Sequence, residues 1–381
     1  MRTSVEGTVA AGYDPVAEAF ARSLSEAGSE TAQVCVHVAG EPVVDLYSGA
    51  PGAIEVVFSA AKGATAACAN LLVQRGLLDL DARVADYWPA YGVRGKESTL
   101  VRWVLSHQAG VLAPRERLTM DDLADWDRVA AALAAQTPAW EPGTAYGYHA
   151  QSFGWLVGEL VRRVDGRSLG AFFQEELARP AGADFWIGLP EAQEARVVEV
   201  VAEEPPLPPG TDPASVDLSS FFGPHHLDAF TLGGAVPEDA VTAAADRRYR
   251  AAELGASGGV TDGRGLSRLY RLLLDVFTPA TVEDILRPET DGADLVLSSP
   301  AMTVEQVFGR GFEVSPPTGA PAGVRAFGHS GAGGTVAFAD PDRRVAFGYA
   351  TTRLVPGPPG MDPRAAALVE AVYAALDSVT G

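Results

Sequence analysis

The stretch Phe58-Ser59-Ala60-Ala61-Lys62-Gly63 places a hydroxyl and an amine three residues apart, at the start of an apolar segment with helical periodicity. In a helix, this spacing puts both side chains on one face. A serine hydroxyl becomes a good nucleophile when a base takes its proton, and a lysine amine can be that base when burial lowers its pKa. The pair therefore predicts a nucleophile, Ser59, with its base, Lys62. The alternative is a helix-capping serine followed by a lysine in solvent.

Lysine usage favours the catalytic interpretation. The chain has 29 lysine and arginine residues in total, and only Lys62 and Lys96 are lysine. Because arginine stays protonated in proteins, it cannot act as a base. A lysine at position 62, in a chain whose positively charged residues are nearly all arginine, therefore indicates a chemical role.

Composition indicates a globular protein with a large core. The chain has 381 residues, 47% of them hydrophobic, which is enough for one big or two interleaved domains. Its net charge of −20 argues against nucleic acid and against anionic membrane surfaces as partners. The first residues lack the apolar core of a secretory signal, and no run of eighteen apolar residues occurs, so we expect a cytoplasmic protein.

Cysteine and histidine spacing predicts no metal site. Cys35 and Cys68 are most simply buried free thiols, and no metal-ligand spacing involves them. The pair His225-His226 is typical of some metal sites, but it has no third ligand at a suitable spacing.

Strand patterns lie at both ends of the chain, and helix patterns lie between them. Apolar, β-branched runs predict a β-hairpin over 33–38 and 43–47, and further strands over 325–329, 335–339 and 345–351. Helical periodicity dominates the middle, where Pro180 is expected to end a helix over 168–177. The proline-rich stretch 203–213 predicts a stiff surface connection, and the pair Phe221-Phe222 is a candidate for the core or for an apolar pocket.

The predicted fold class is α/β, of the α+β type, with an antiparallel sheet flanked by helices and a mostly helical inserted domain. We expect residues 1–60 and 250–381 to form the sheet domain and residues 61–249 the helical one. Ser59 then lies at the junction of the two, where we expect the active site.

Three motifs follow one another along the chain: Ser59-Ala60-Ala61-Lys62, then Tyr148, then His329-Ser330-Gly331. In this order they resemble the serine β-lactamase and penicillin-binding-protein superfamily, and in particular its class C-like branch of carboxylesterases and acyltransferases. The resemblance extends over nearly the whole chain, through the stretches 76–81, 105–110, 140–144, 154–159 and 328–334. It implies a β-lactamase-like fold and a covalent acyl intermediate, with no cofactor.

The resemblance also implies a role for each motif. Ser59 attacks a carbonyl, Lys62 holds or takes its proton, and Tyr148 completes the base as a phenolate or a proton shuttle. The backbone N–H groups of Ser59 and Ala332 form the oxyanion hole. The third motif contacts the substrate through His329, Ser330 and Gly331. Tyr146 is a rival for the part assigned to Tyr148.

Two departures from the β-lactamase pattern bear on the substrate. Tyr148 is followed by His149 and Ala150, so the asparagine that grips an acylamino group in β-lactamases of this type is missing. His329 replaces the lysine that would anchor a carboxylate. A neutral small-molecule ester or thioester therefore fits better than a β-lactam or a D-Ala-D-Ala peptide.

Two further residues invite a catalytic interpretation. Ser257 lies in Gly255-Ala256-Ser257-Gly258-Gly259, which matches the nucleophile elbow of α/β-hydrolases, but the polar segment before it is unlike the apolar strand that this motif requires. His107 lies in one of the stretches that resemble the family, and we expect it to tie down a turn.

The sequence therefore predicts a serine hydrolase that cleaves a carboxylic ester through acyl-Ser59, with water as the second acceptor. The nearest alternative is an acyltransferase of secondary metabolism that passes an acyl group from a thioester to an alcohol or amine. A D,D-peptidase or β-lactamase would call for export and a third-motif lysine. A catalytically inactive binding module would leave Ser59 unreactive to a fluorophosphonate. The oligomeric state stays open.

Overall fold

The computed structural model describes residues 4–27, 31–203, 223–314, 324–355 and 362–380. The predictions for most of the stretch 203–213 and for Phe221-Phe222 lie outside these residues. Cys35 and Cys68 are buried free thiols, which confirms the prediction for both. No helix in the described ranges is both long and apolar enough to cross a membrane.

The framework is a seven-stranded antiparallel sheet with the order β1-β3-β2-β10-β9-β8-β7. Its strands come from both ends of the chain, as predicted. The short strands β4, β5, β6 and β11 lie outside this sheet. In chain order the strands are β1 Glu6–Val9, β2 Ala32–Val38, β3 Glu41–Ser48, β4 Glu55–Val56, β5 Val201–Ala202, β6 Val260–Thr261, β7 Glu313–Val314, β8 Phe327–Ser330, β9 Val336–Asp340, β10 Val345–Thr351 and β11 Arg353–Leu354.

Helices flank the sheet and fill the middle of the chain. In order they are α1 Asp14–Ala27, α2 Ala61–Gln74, α3 Val84–Tyr87, α4 Val101–Leu105, α5 Trp126–Ala134, α6 Ser152–Asp165, α7 Leu169–Phe173, α8 Arg179–Ala181, α9 His226–Thr231, α10 Ala240–Ala245, α11 Arg247–Ala251, α12 Gly263–Val276, α13 Pro279–Ile285 and α14 Pro363–Thr380.

The sheet is covered by helices on both faces. Its central strand β10 is buried along its whole length, which explains why it reads as a continuous apolar run instead of an alternating one. Helices α1 and α14 pack together, and their apolar residues share one core with the sheet. Helix α12 packs on β10 and β2 and belongs to a second core with α2 and α6.

These elements confirm the predicted fold class and the predicted hairpin. The division into domains at residues 60 and 250 stays a prediction. One helix end differs from expectation, because Pro180 lies inside α8 and the helical chain runs on to Ala181. A π turn at Gln174–Ala178 joins α7 to α8, so that Pro180 falls in the first turn of a new segment, where its missing N–H costs little.

Candidate active site

Ser59 lies in a single 3₁₀ turn, Phe58–Ala60, that connects β4 to α2. The residue before it, Phe58, has a φ of 46°, in the left-handed region that side chains other than glycine seldom adopt. Backbone strain of this kind concentrates at functional sites, where the surrounding structure holds it in place. The turn leaves Ser59 partly exposed, so that its hydroxyl is accessible.

The amine of Lys62 has three oxygen neighbours. Helix α2 begins one residue before Lys62, and the side chain is fully buried. Its Nζ donates to the carbonyl oxygens of Ala150 at 2.8 Å and Ala256 at 2.9 Å, and it lies 3.3 Å from the hydroxyl oxygen of Ser59. A neutral amine has two N–H groups and one lone pair. The two carbonyls take both N–H groups, which leaves the lone pair for the hydroxyl hydrogen of Ser59.

Electrostatics favour the neutral form of this amine. Burial holds the pKa of Lys62 well below its ordinary range, and this effect outweighs the nearby charge of Glu313, which acts in the opposite direction. Burial therefore favours the neutral form of this amine, the form that can accept a proton.

Tyr148 closes the site on the other side of Lys62. Its ring covers Nζ, with 4.5 Å between Nζ and the ring centroid. Burial raises the pKa of Tyr148 well above its ordinary value of 10, although a hydrogen bond with Ser59 acts to lower it. The side chain is therefore a neutral phenol in contact with both Ser59 and Lys62.

The rival tyrosine is held elsewhere by its own hydrogen bonds. The hydroxyl of Tyr146 donates to the carbonyl oxygen of Gly292 at 2.7 Å and accepts from the backbone N–H of Gln306 at 3.0 Å. The structure thus brings Tyr148, and not Tyr146, to the amine of Lys62.

The third motif reaches Ser59 through the end of β8. Gly331 follows that strand, and a Cβ at this position would lie 2.3 Å from the carbonyl oxygen of Val57 and 3.2 Å from the amide nitrogen of Ala60. Only a glycine permits this approach to the turn that holds Ser59. Ala332, predicted to supply an oxyanion-hole N–H, is exposed in the turn that follows.

The side chains of the third motif turn toward a buried carboxylate. His329 is buried, and its Nδ1 lies 2.7 Å from the carbonyl oxygen of Ser330. The hydroxyl of Ser330 donates to Glu313 Oε1 at 2.9 Å. Glu313 was not predicted from the sequence, because the residues around it form no recognisable motif.

Known proteins share this arrangement of the chain. The model of the beta-lactamase family matches residues 16–371. The esterase/beta-lactamase LipL of Mycobacterium tuberculosis is 32% identical over 342 residues, which cover 84% of this chain and 77% of that protein. A family VIII carboxylesterase of known structure is 33% identical, with a TM-score of 0.86 over 98% of this chain and 100% of that one. EstA from Arthrobacter nitroguajacolicus Rue61a is 34% identical, with a TM-score of 0.85 and 100% of both chains covered.

This chain belongs to the beta-lactamase family. The superfamily recognised from its three motifs is thereby confirmed, and the protein is an enzyme of the β-lactamase-like hydrolase type. The residues that position the three motifs in this family member are spread over the chain, and several of them were not apparent from the sequence.

Asp294 positions the backbone of Tyr148. Its Oδ1 accepts hydrogen bonds from the N–H of Tyr148 at 3.1 Å, Val296 at 2.8 Å and Leu297 at 2.9 Å. The side chain is fully buried. Because 146 residues separate Asp294 from Tyr148, no local pattern in the sequence could have paired them.

Two neutral histidines fix the same loop. The N–H of His149 donates to His107 Nδ1, and the N–H of Val111 donates to His149 Nε2, both at 3.1 Å. Burial lowers the pKa of His149 to about 4 and holds that of His107 well below its ordinary range. His107 therefore ties down a turn, as predicted. The sequence singled out His149 only as a departure from the β-lactamase pattern, whereas the structure gives it an anchoring position.

The glycine-rich stretch around Ser257 belongs to the site, although Ser257 does not contact Lys62. The hydroxyl of Ser257 donates to Gln151 Oε1 at 2.5 Å in a buried position. Its neighbour Ala256 provides one of the two carbonyl oxygens bound to Lys62. The stretch that resembles a nucleophile elbow therefore contacts the amine through its backbone.

The adjacent histidines of α9 and its N-cap contact aromatic rings. His226 stacks on Phe230 with 4.2 Å between ring centroids, and His225 meets Trp140 edge-on at 6.1 Å. Within the described ranges, no group of three or more histidine, cysteine or acidic side chains is arranged to hold a metal ion.

Proposed function

We propose that this chain is a serine hydrolase that cleaves a small-molecule carboxylic ester through an acyl intermediate on Ser59, with water as the final acceptor. The main support is the environment of Lys62. Carbonyl oxygens bind the two N–H groups of its neutral amine, and the third neighbour of Nζ is Ser59 Oγ. One relative named as an esterase/beta-lactamase and one named as a family VIII carboxylesterase support an ester as the substrate.

In the acylation step, Ser59 Oγ forms a bond to the ester carbonyl carbon as its proton passes to Lys62 Nζ. The electron pair of the C=O bond moves to the carbonyl oxygen, and the N–H groups of Ser59 and Ala332 stabilise this charge. The tetrahedral intermediate then collapses, and its alkoxide leaves with a proton that returns from Lys62 by way of the Tyr148 hydroxyl. Acyl-Ser59 and the free alcohol are the products of this step.

In the deacylation step, a water molecule attacks the acyl carbon while Lys62 accepts its proton, directly or through Tyr148. The bond to Ser59 Oγ breaks, and the serine regains a proton. The carboxylic acid leaves, and the site returns to its starting state. A neutral Lys62 and a neutral Tyr148 suit both steps, since one can accept a proton and the other can relay it.

The third motif favours a neutral substrate. Burial lowers the pKa of His329 below its ordinary value, and the opposing charge of Glu313 is the smaller effect. A neutral imidazole does not provide the positive charge that would anchor a substrate carboxylate. An uncharged ester therefore suits this site better than a β-lactam or peptide carboxylate.

Covalent labelling tests the proposal directly. Intact-protein mass spectrometry with a fluorophosphonate, and turnover of p-nitrophenyl esters of graded chain length, should show one adduct and ester cleavage in the wild type. Both should be lost in Ser59→Ala. Ser257→Ala is the control, because it removes a buried serine hydroxyl next to Ala256, whose carbonyl binds Lys62, and should keep the adduct.

Acceptor dependence separates hydrolysis from acyl transfer. We expect water to hydrolyse acyl-Ser59 at a rate that added alcohols and amines do not change. A long-lived adduct that discharges only to one acceptor would replace hydrolysis with transfer. An adduct that persists in Ser59→Ala would overturn the assignment of the nucleophile.

A further inference from the structure

Glu313 is a buried acidic residue at the junction of the third motif and the proposed catalytic pair. It begins β7, the strand at one edge of the seven-stranded sheet, where it pairs with Gly328 of β8. The residue is only 5% exposed. A carboxylate so deeply buried is costly unless its oxygens are bound and its charge has a partner.

The carboxylate holds Ser330 by two hydrogen bonds. Oε1 accepts from the hydroxyl of Ser330 at 2.9 Å, and Oε2 accepts from its backbone N–H at 3.3 Å. Since Gly331 follows directly and approaches the turn of Ser59, this contact sets the end of β8 against the nucleophile.

The same carboxylate faces the imidazole of His329. Nδ1 of His329 lies 3.4 Å from Glu313 Oε1 and 2.7 Å from the carbonyl oxygen of Ser330. With two acceptors beside it, Nδ1 carries the proton of the neutral ring. The lone pair is then on Nε2, which is buried and has no hydrogen-bond partner among the described residues.

The charge of Glu313 also acts on titratable groups in several elements around the site. Its charge acts to raise the pKa of Lys62 on α2, Tyr148 before α6, Tyr270 on α12 and His329 on β8. The charge of Lys62 would in turn lower the pKa values of His107, His149 and His329. Glu313 is thus the acidic group whose charge acts on Lys62. The fold brings their elements together, since a Cβ on Gly63, next to Lys62 in α2, would lie 3.7 Å from His329 Cβ, and His329 Nδ1 lies 3.4 Å from Glu313 Oε1.

We propose that Glu313 is a positioning residue, which holds the end of β8 through Ser330 and supplies the negative charge opposite Lys62 when that amine carries the proton of Ser59. This inference rests on the proposed function, because it concerns the base in that reaction. During acylation the proton leaves Ser59 Oγ, and the buried amine of Lys62 becomes an ammonium. An opposite charge stabilises this ammonium and so increases the basicity of Lys62.

The test is the pH dependence of labelling at Ser59 in Glu313→Gln. The amide oxygen can still accept from the Ser330 hydroxyl, whereas the charge and the hydrogen bond from the Ser330 N–H are lost. The rate of fluorophosphonate labelling should still rise with pH, but with its midpoint moved to lower pH by roughly one unit, which is the usual effect of one nearby opposite charge. The plateau rate should fall about tenfold, because a weaker base accepts the proton less readily, and KM for an ester should stay the same.

Ser330→Ala provides the matched control. It removes a hydrogen bond to Glu313 and leaves the carboxylate charge, so the midpoint should stay at the wild-type pH whatever happens to the rate. A Glu313→Gln protein with a lower thermal midpoint but the wild-type pH midpoint would reduce Glu313 to a structural residue and overturn the proposal.

A second variant and the wild-type protein complete the test. If Glu313→Gln does not fold, Glu313→Asp takes its place, because its side chain is one methylene shorter and moves the carboxylate away from the site. A shift of its midpoint in the same direction supports the proposal, and no shift contradicts it. A wild-type protein without any Ser59 adduct would instead refute the proposed function, since that result does not involve Glu313.

Discussion

The phenol ring of Tyr148 lies over the amine of Lys62, with Nζ 4.5 Å from the ring centroid. This contact removes water from one side of the amine, and the carbonyls of Ala150 and Ala256 occupy two other directions. The tyrosine therefore has two separable effects. Its ring keeps the amine desolvated, and its hydroxyl is available to relay a proton.

The two effects can be separated with Tyr148→Phe. This variant keeps the ring over Lys62 and loses only the hydroxyl, so turnover should fall roughly 100-fold or more while KM changes little. Steady-state kinetics on a p-nitrophenyl ester measures both. Tyr146→Phe is the comparison, because its hydroxyl bonds Gly292 and Gln306. It should lose about 1–2 kcal/mol of stability and keep most of its turnover, and a reversed ranking would make Tyr146 the catalytic tyrosine.

The two lysines of the chain provide a matched pair for the base. Lys62→Arg keeps a positive charge that cannot be lost, so ester turnover should fall by a factor of about 1,000 or more. Lys96→Arg changes the other buried lysine, whose Nζ donates to the carbonyl oxygens of Val93 and Gln136, and should retain turnover. Substantial activity in Lys62→Arg would show that this amine does not act as a base.

The pH profile should have one rising limb. Activity requires neutral Lys62, so kcat/KM should increase as the pH rises through the pKa of this residue, which burial holds well below its ordinary range. Because burial raises the pKa of Tyr148, no falling limb from a phenolate is expected below pH 10. Stopped assays across pH 5 to 10, with the stability of the protein checked at each pH, would measure the curve. A falling limb that disappears in Tyr148→Phe would contradict this account.

Glu55 should make the protein less stable as the pH rises. Its side chain on β4 is fully buried, neither carboxylate oxygen has a hydrogen-bond partner in the described part of the chain, and burial, with the charge of Asp262, raises its pKa well above the ordinary value of 4.5. The folded protein therefore keeps a proton that the unfolded chain releases. The associated stability is complete below pH 4.5 and is lost as the pH rises to the folded-state pKa, by about 1.4 kcal/mol per pH unit over that interval.

Glu55→Gln removes this dependence and should be more stable than the wild type at pH 8, with a smaller difference at pH 5. Urea unfolding at the two pH values measures the free energies. Glu41→Gln, at an exposed position on β3, should show no such trend. An equal difference at both pH values would mean that the folded protein does not hold this proton.

Gly331→Ala tests the contact between the third motif and the nucleophile. The new Cβ would meet the carbonyl oxygen of Val57 at 2.3 Å, so the end of β8 must move away from the turn of Ser59. A displacement of this size should lower kcat roughly 100-fold, while circular dichroism still shows the native fold. Wild-type kinetics in this variant would show that the close approach has no part in catalysis.

Much of the fold could be predicted because its signals are local. The hairpin over β2 and β3, the runs that form β8, β9 and β10, and the helices α1, α2 and α6 each carry their own periodicity and end signals within a few residues. The continuation of the helical chain through Pro180 was not predicted. It depends on the π turn at Gln174–Ala178, whose backbone hydrogen bonds leave no pattern in the sequence.

The sequence by itself determined the three motifs, their order and the family, since each motif is a short run of residues with a chemical meaning. Tertiary structure decided which groups surround them. The groups that hydrogen-bond to the motifs come from segments distant in the sequence: Asp294 bonds to Tyr148, Ala256 to Lys62, and Glu313 to Ser330. The state of the amine depends on burial and on those neighbours, because a pKa is set by the local dielectric environment and the charges in space around the group.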